Sequence, residues 1–491
     1  MTVEKPPATE EEERSVVRHV DWSDFRDHIA TADKEGRRQW IYPRKPRGRF
    51  YTARTVFSLL LLAIMFVGPF VRIHGNPLLM FNIVERRFSI LGRMFWPQDT
   101  VVFAVAMLLF LMGIVVFTAV YGRLWCGWAC PQTVLMEMVF RRIEYWIEGD
   151  APAQKALAKA PWTGGKIAKK ALKHGLFLAV SFIIGNTLLA YIIGSDAWIR
   201  LVTDNPLNHL KGLTFMGLFT LLFYSIFARF REQACTFICP YGRFQSTLID
   251  ENTIVVAYDH KRGEKRGPWR RNETPEQRAA RGGGDCIDCK QCVAVCPTGI
   301  DIRNGLQMEC VHCTACIDAC DAVMTRIGRP RGLIRYASLN GIEKRERLRV
   351  TPRIVAYTGL LVVLAAALAV LLLTRSDVDA TMLRARGTLF QKMEDGHYSN
   401  LYLLKVTNKS NEPIDVTARL ERPEGELTLA GGVLHVPAAD QVETSVIVEL
   451  PPAALTGRKT PIEVGLYDGG KKLRRLRAEF LGPRHPPKSA P

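Results

Sequence analysis

The sequence predicts a membrane protein of about five transmembrane α-helices, with a cysteine-rich module between the fourth and fifth and an all-β sandwich after the last. Three observations predict it. Five apolar windows interrupt a chain of 491 residues that is 48% hydrophobic yet carries a net charge of +18, so the apolar residues are segregated and an ordinary soluble enzyme is excluded. Eight cysteines recur in one spacing between Cys286 and Cys320. Beyond residue 373 the chain changes to short alternating runs broken by turn residues.

The windows are 56–71, 101–120, 175–193, 213–228 and 354–373. A spanning helix needs roughly 17–25 apolar residues; the first and fourth windows reach that length with their flanks. Pro69 is expected to kink the outer end of the first. Basic residues beside the spans set the orientation. There are seven Lys/Arg and no acid over 37–54, nine over 122–173 and nine over 326–353, against four over 72–100 and only Arg200 and Lys211 over 195–212. The N-terminus is therefore expected in the cytoplasm and the C-terminus outside. The positive charge is explained by topology and by attraction to anionic membrane lipid, so nucleic acid is not an expected partner. The first 50 residues are polar, and no cleavable signal peptide is expected.

Cys286, Cys289, Cys292 and Cys296 follow C-x2-C-x2-C-x3-C, and so do Cys310, Cys313, Cys316 and Cys320. In that spacing three thiolates wrap one [4Fe-4S] cubane while the fourth cysteine reaches across to a neighbour. The ligand sets are then crossed: Cys286, Cys289, Cys292 and Cys320 for a first cluster, and Cys310, Cys313, Cys316 and Cys296 for a second. Zinc ribbons need only two C-x2-C pairs or Cys/His mixtures. The module falls on the side predicted to be cytoplasmic, where thiols stay reduced. Pro297 follows Cys296 but Asp321 follows Cys320, so the second run is a less complete copy. His312 is expected to face solvent or to stand behind the ligands. None of the ten histidines lies inside an apolar window, and His74, His174 and His209 fall just outside, which disfavours a haem-carrying span.

The remaining four cysteines form two C-x3-C-P elements, Cys126 and Cys130 before Pro131, and Cys235 and Cys239 before Pro240. Each follows an even-numbered span with arginine and an aromatic nearby, an internal duplication of helix plus thiol pair. On a helix, residues i and i+4 share a face, and two such pairs on neighbouring helices would gather four thiols. Soft thiolates suit Cu(I), zinc and iron-sulfur clusters; spacing leaves metal binding and dithiol–disulfide cycling both open. Met136 and Met138 are candidate thioether ligands, although methionine at helical spacing usually fills core gaps.

Five regions follow: a mobile basic arm (1–54) whose Trp40, Tyr42, Phe50 and Tyr51 suit a membrane interface; a four-helix membrane region (55–260); a dicluster ferredoxin-like module (261–330), entered through a flexible tether at 262–284; a basic linker and fifth helix (331–375); and the sandwich (376–491). In the last, runs at 400–407, 414–420, 433–436, 442–450, 462–467 and 476–480 are strands at the spacing of an immunoglobulin-like domain. It has no cysteine and reads as a docking module.

The paired C-x3-C-P elements, the eight-cysteine module and the terminal sandwich together resemble the FixG-like family of cytochrome c oxidase accessory proteins, also called CcoG, over all but the first ~40 residues, a terminal stretch of the kind expected to lie outside the fold. The resemblance implies a protein of the bacterial inner membrane with two [4Fe-4S] clusters, periplasmic sandwich and cytoplasmic module. It further implies reduction of Cu(II) to Cu(I) in supplying copper to a cbb3-type oxidase, with transient copper at Cys126, Cys130, Cys235 and Cys239. Expected partners are oxidase assembly factors, a copper-exporting ATPase or copper chaperone, and a cytoplasmic electron donor that the sequence does not identify. Two other functions are weighed: a quinol-linked electron-transfer subunit, similar to membrane ferredoxins of nitrate or nitrous oxide respiration, and a non-enzymatic oxidase assembly scaffold.

Overall fold

The computed structural model describes residues 31, 35 and 37–483, apart from 74, 84, 271–272, 346–349, 386 and 388. Of the arm expected over 1–54, residues 1–30, 32–34 and 36 lie outside the described residues. All five apolar windows are helices long and apolar enough to cross a membrane: Arg49–Val67, Thr100–Tyr121, Gly164–Ile193, Pro206–Phe230 and Pro352–Leu373. A helix satisfies its backbone amides internally, as hydrocarbon surroundings demand. Pro69 ends the first helix instead of kinking it, because the last helical residue is Val67. Proline lacks an N–H and drives the residue before it out of the α region.

The chain divides into two compact units. The first holds residues 1–66, 107–188 and 202–365. Within it Phe140 stacks on Phe227 of the fourth span at 4.4 Å and meets Phe177 of the third edge-on at 4.9 Å. This aromatic cluster ties both spans to the helical segment that follows Cys130. The cysteine module folds around a two-stranded sheet that the sequence reading left outside it: Val255–Tyr258 pairs antiparallel with Ile334–Ala337. Val256, Tyr258, Ile300, Ile317, Met324 and Ile334 form its core.

Two expectations for this unit are corrected. Residues 262–284 are an ordered wrap, not a flexible tether. Arg278 is fully buried, and its guanidinium donates to the carbonyls of Gly267 and Cys286 at 2.9 and 3.0 Å. The stretch 38–51 is packed as a strap over the module, not held free for a membrane interface. The Arg44 amide donates to Ala294 O at 2.7 Å, Ile41 closes on Gly299, and Phe50 meets Tyr336 edge-on at 6.2 Å. Trp40 lies between the guanidinium groups of Arg38 and Arg231, 4.6 and 4.8 Å from its ring centre. Cation–π contacts of this kind favour arginine on tryptophan, which is how a run read as topology signal becomes structure.

The second unit holds residues 67–106, 189–201 and 366–491. Two antiparallel sheets face each other across one apolar core. One runs Glu426–Leu429, Gln441–Leu450, Tyr398–Asn408 and Val378–Arg384, with Gln391–Lys392 paired to the third of these. The other runs Leu434–Val436, Ile414–Arg422, Lys459–Asp468 and Lys471–Leu481. Alternation builds the core: Tyr402, Leu404, Val406, Val446, Val448 and Leu450 point inward and are fully buried. Val378–Arg384 and Glu426–Leu429 were not anticipated, nor was the three-stranded sheet of Leu79–Asn82, Arg87–Ile90 and Arg93–Phe95. Asp99 is buried in this unit and accepts from Lys409 Nζ at 2.6 Å and Arg375 Nη2 at 2.8 Å.

Candidate cluster and thiol sites

The two C-x2-C-x2-C runs fold identically. In each, the residues before and after the middle cysteine are left-handed: Asp288 and Lys290 with φ of 51° and 54°, His312 and Thr314 with 52° and 64°. Four non-glycine residues in that region are costly. The alternation curls the backbone so that successive amides converge, the concave arrangement that receives anions and iron-sulfur clusters. A helix then leaves each loop, Gln291–Ala294 and Ala315–Arg326.

Two spaces of about 350 Å³ lie against these loops. Cys286, Cys289, Cys292 and Cys320 line one. Cys296, Cys310, Cys313 and Cys316 line the other, which Cys292 also touches. Burial, reinforced by the neighbouring cysteines, pushes the Cys320 thiol up to about 12 and Cys313 up to about 11. Such thiols shed their protons to a metal and not to water, so loading is coupled to proton release. The donor sets, the curled amides and the spaces beside them fit two cubanes. When bound, such groups supply one-electron transfer. The two sites differ in access: Cys289 is the exposed cysteine of the twelve, whereas Val311, His312 and Thr314 around the second are all buried.

The duplicated C-x3-C-P elements also share a local structure. In each the amide of the second cysteine bonds five residues back, Cys130 to Trp125 O and Cys239 to Ala234 O, both at 2.9 Å. That cysteine is extended, with ψ of 125° and 111°, and caps a new helix whose first residue is the proline. Proline explains both features, since it forbids α geometry in the residue before it and suits the first helical position. Cys126 and Cys235 lie in one-turn helices just before, so each pair straddles a helix break. Cys130, Cys126 and Cys239 all reinforce the burial that raises Cys235 to about 12, so the four thiols share one neighbourhood, with no three of them within 4.8 Å of one another. Cys126 rises to about 11, and its Sγ lies 3.3 Å from Gln245 Oε1.

The first thiol element sits directly on the loop of the second run. A Cβ at Gly127 would lie 2.4 Å from Val311 O and 2.8 Å from His312 O, so only glycine permits the approach. The Arg123 amide donates to His312 Nδ1 at 3.1 Å, and the Arg123 guanidinium binds the carbonyls of Met308 and Gly242. His312 is 1% exposed, which corrects the solvent-facing alternative. Burial, then Arg123, lowers it to about 3, so the ring is neutral. With Nδ1 accepting, Nε2 carries the proton, and that buried N–H has no partner among the described residues. Between Cys235 and the loop lies a space of about 340 Å³ lined also by Met136, Glu137, Glu232, Pro297 and Val311. Met138 is placed elsewhere, its sulfur near Thr55 and Arg142.

An ionic cluster holds these parts in register. Arg231, just before the second pair, forks onto Glu144 with two bonds of 2.8 Å. Lys173 reaches Glu148 at 3.0 Å, and Arg141 reaches Glu137 at 3.3 Å. The sequence presents Arg141 and Lys173 as topology signals and Arg231 as the arginine beside the second thiol element, without the ionic cluster they form. Sequence reading also missed Asp318, whose carboxylate accepts the amides of Phe50 and Tyr51 at 3.1 and 2.7 Å and so caps the first span from within the second cysteine run.

Comparison with known proteins agrees with this organisation. Residues 230–339 match the 4Fe-4S dicluster domain, 103–150 a 4Fe-4S binding domain, and 368–483 the domain described as an IG-like fold at the C-terminal of FixG, putative oxidoreductase. Protein RdxA of Cereibacter sphaeroides is 37% identical over 462 residues, 88% of this chain and 94% of that protein. Nitrogen fixation protein FixG of Rhizobium meliloti is 33% identical over 444 residues, 80% and 82% of the two chains. The chain belongs to the FixG-like family. This FixG-like protein is thus a membrane iron-sulfur protein of electron transfer with an IG-like C-terminal domain. A more distant similarity, 23% over 231 residues, is to the putative electron transport protein YccM of Escherichia coli, which shares 46% of this chain.

Proposed function

We propose that this protein reduces Cu(II) to Cu(I) at Cys126, Cys130, Cys235 and Cys239, drawing one electron per ion from two [4Fe-4S] clusters held by the crossed cysteine sets, in the supply of copper to a cbb3-type oxidase. The observation that carries the reading is the contact at Gly127, which seats a soft-ligand site against the second cysteine run. Four thiols favour Cu(I) over Cu(II), so the same residues that hold the product also make its formation easier. Met136 lines the space beside Cys235 together with Glu137, Glu232 and Arg231, a soft thioether among carboxylates that Arg141 and Arg231 balance. The basic flanks of the spans support a cytoplasmic position for the clusters and a periplasmic one for the sandwich.

The test is metal analysis, EPR and Cu(II) reduction on anaerobically purified protein. Replacing Cys130 and Cys239 together by serine should abolish copper binding and reduction, with about eight iron per chain retained, as two cubanes require. Cys289→Ser should stop reduction and spare Cu(I) binding. Reduction at the wild-type rate by the double variant would remove the thiol pairs from the chemistry. A second reading also has an observation behind it: the 4Fe-4S families match across both thiol elements. Were the four thiols to hold a third cluster, wild-type protein would carry about twelve iron, and the double variant about eight.

A further inference from the structure

Arg54 is a guanidinium in the wrong place for a topology signal. It belongs to the first span, is 2% exposed, and its Nε and Nη2 are buried with no hydrogen-bond partner among the described residues. No carboxylate forms an ion pair with it among the described residues. A buried cation left so costs several kcal/mol, so the fold is incomplete without an anion there. Its direction is set by the helix. Phe50, four residues earlier and on the same face, packs on Tyr336 of the cysteine module, and the amides of Phe50 and Tyr51 are capped by Asp318, between Cys316 and Cys320. The positive charge of Arg54 is also felt at the Cys313 thiol, as that of Arg123 is at Cys310. Glu137, which faces the same thiol, is occupied by Arg141 at 3.3 Å.

The first site is arranged differently. Its arginine, Arg303, lies 4.0 Å from Cys286 Sγ, but two carboxylates neutralise it, Asp288 and Asp301, each at 2.6 Å. We propose that Arg54 is the counter-charge of the second cluster, a positioning residue that raises the reduction potential of that cluster and so directs electrons from the exposed first site to the buried second one. The inference rests on the crossed ligand reading given above. A cubane with four thiolates carries two negative charges, and three after gaining one electron. In a buried site the third charge is penalised, which by itself would place the enclosed cluster below the exposed one and turn the flow outward. A fixed cation stabilises the more negative state more and offsets that penalty. Net charge and hydrogen bonds to sulfur are the terms that set such potentials.

The experiment is a potentiometric EPR titration of the full-length protein, wild type and Arg54 variants. Arg54→Gln keeps N–H donors and removes the charge. It should make one cluster at least tenfold harder to reduce at a given potential, about 59 mV for one electron, with the other cluster and the iron content unchanged. The shifted signal should be the one that Cys289→Ser leaves in place. Arg54→Lys, which keeps the charge and loses the fork, should hold its clusters and titrate near wild type. Unshifted clusters in Arg54→Gln, or an equal shift of both, overturns the proposal. Should Arg54→Gln lose iron, Arg54→Lys decides: a midpoint close to wild type supports the counter-charge, and lost iron or a tenfold shift overturns it. Wild-type protein with zinc, or without two cubane signals, defeats the ligand reading itself, whatever the variants do.

Discussion

At Gly127 a single missing methyl group holds two sites together. The added Cβ of Gly127→Ala has backbone oxygens of Val311 and His312 within 3 Å, and a peptide carbonyl inside a ligand loop cannot move aside as a flexible side chain does. Overpacking of this kind costs about 1–3 kcal/mol. The expected outcome is a lower melting temperature in detergent and an altered EPR signal from one cluster. Gly217→Ala serves as the control, since a Cβ there meets nothing within 4 Å and alanine favours the helix by about 1 kcal/mol. An equal response of the two variants would show that the contact is not tight. The cysteines themselves were legible in the sequence because their chemistry dictates their spacing. Gly127 was not, because what it avoids, Val311 and His312, lies far along the chain, and no periodicity encodes a backbone approach. Arg54 closes the basic run 37–54 in the sequence, and only the start of the first helix at Arg49 puts it inside a span, where an ionisable residue is functional by default.

At the scale of elements, the spans were read correctly from apolar length, and the sandwich largely from alternation. What failed was the treatment of basic segments as solvent or lipid facing. Lys173 and Arg141 belong to the run counted for topology, yet with Arg231 they build the ionic cluster around Glu144. Burial alone would raise that carboxyl; Arg231, Lys173 and Arg141 outweigh it and hold it below the ordinary value of 4.5. A group whose folded value is depressed contributes stability above its unfolded value and loses it as pH falls through the folded one. Wild-type protein should therefore lose thermal stability progressively below about pH 4.5, and Glu144→Gln should flatten that part of the profile. Glu144→Ala, which leaves Arg231 only its looser 3.7 Å pairing with Glu232, should cost about 3–5 kcal/mol at neutral pH. An unchanged melting temperature for Glu144→Ala would mean that the cluster does not hold the thiol elements in register. Glu426–Leu429 escaped sequence reading because it is only four residues long, and Val378–Arg384 because Ala380 and Met382 in its inward row carry little strand preference; pairing with Gln441–Leu450 and Tyr398–Asn408 secures them.

For the whole molecule, orientation decides which compartment supplies the electrons. The basic flanks predict that a reporter active only outside the cytoplasm works when fused after Leu373 and is silent when fused near Gly283. The reverse pattern would remove the cytoplasmic electron supply from the proposed function.

The cap that Asp318 places on the first span also has a consequence for biogenesis. Residues 44–51 emerge from the ribosome long before residue 318, so for most of synthesis the leading end of the first helix lacks the carboxylate that satisfies its amides. Cluster insertion then becomes a late clasp, joining the beginning of the chain to a segment made nearly 270 residues afterwards. Protein made without iron should be finished yet unclasped, and trypsin should cut it at Arg44, Arg47 or Arg49 faster than the loaded form. Equal cutting of the two forms would mean that the strap closes before the metal arrives. In cells, the same difference would let a protease tell an apoprotein from a working one by its first exposed turn alone.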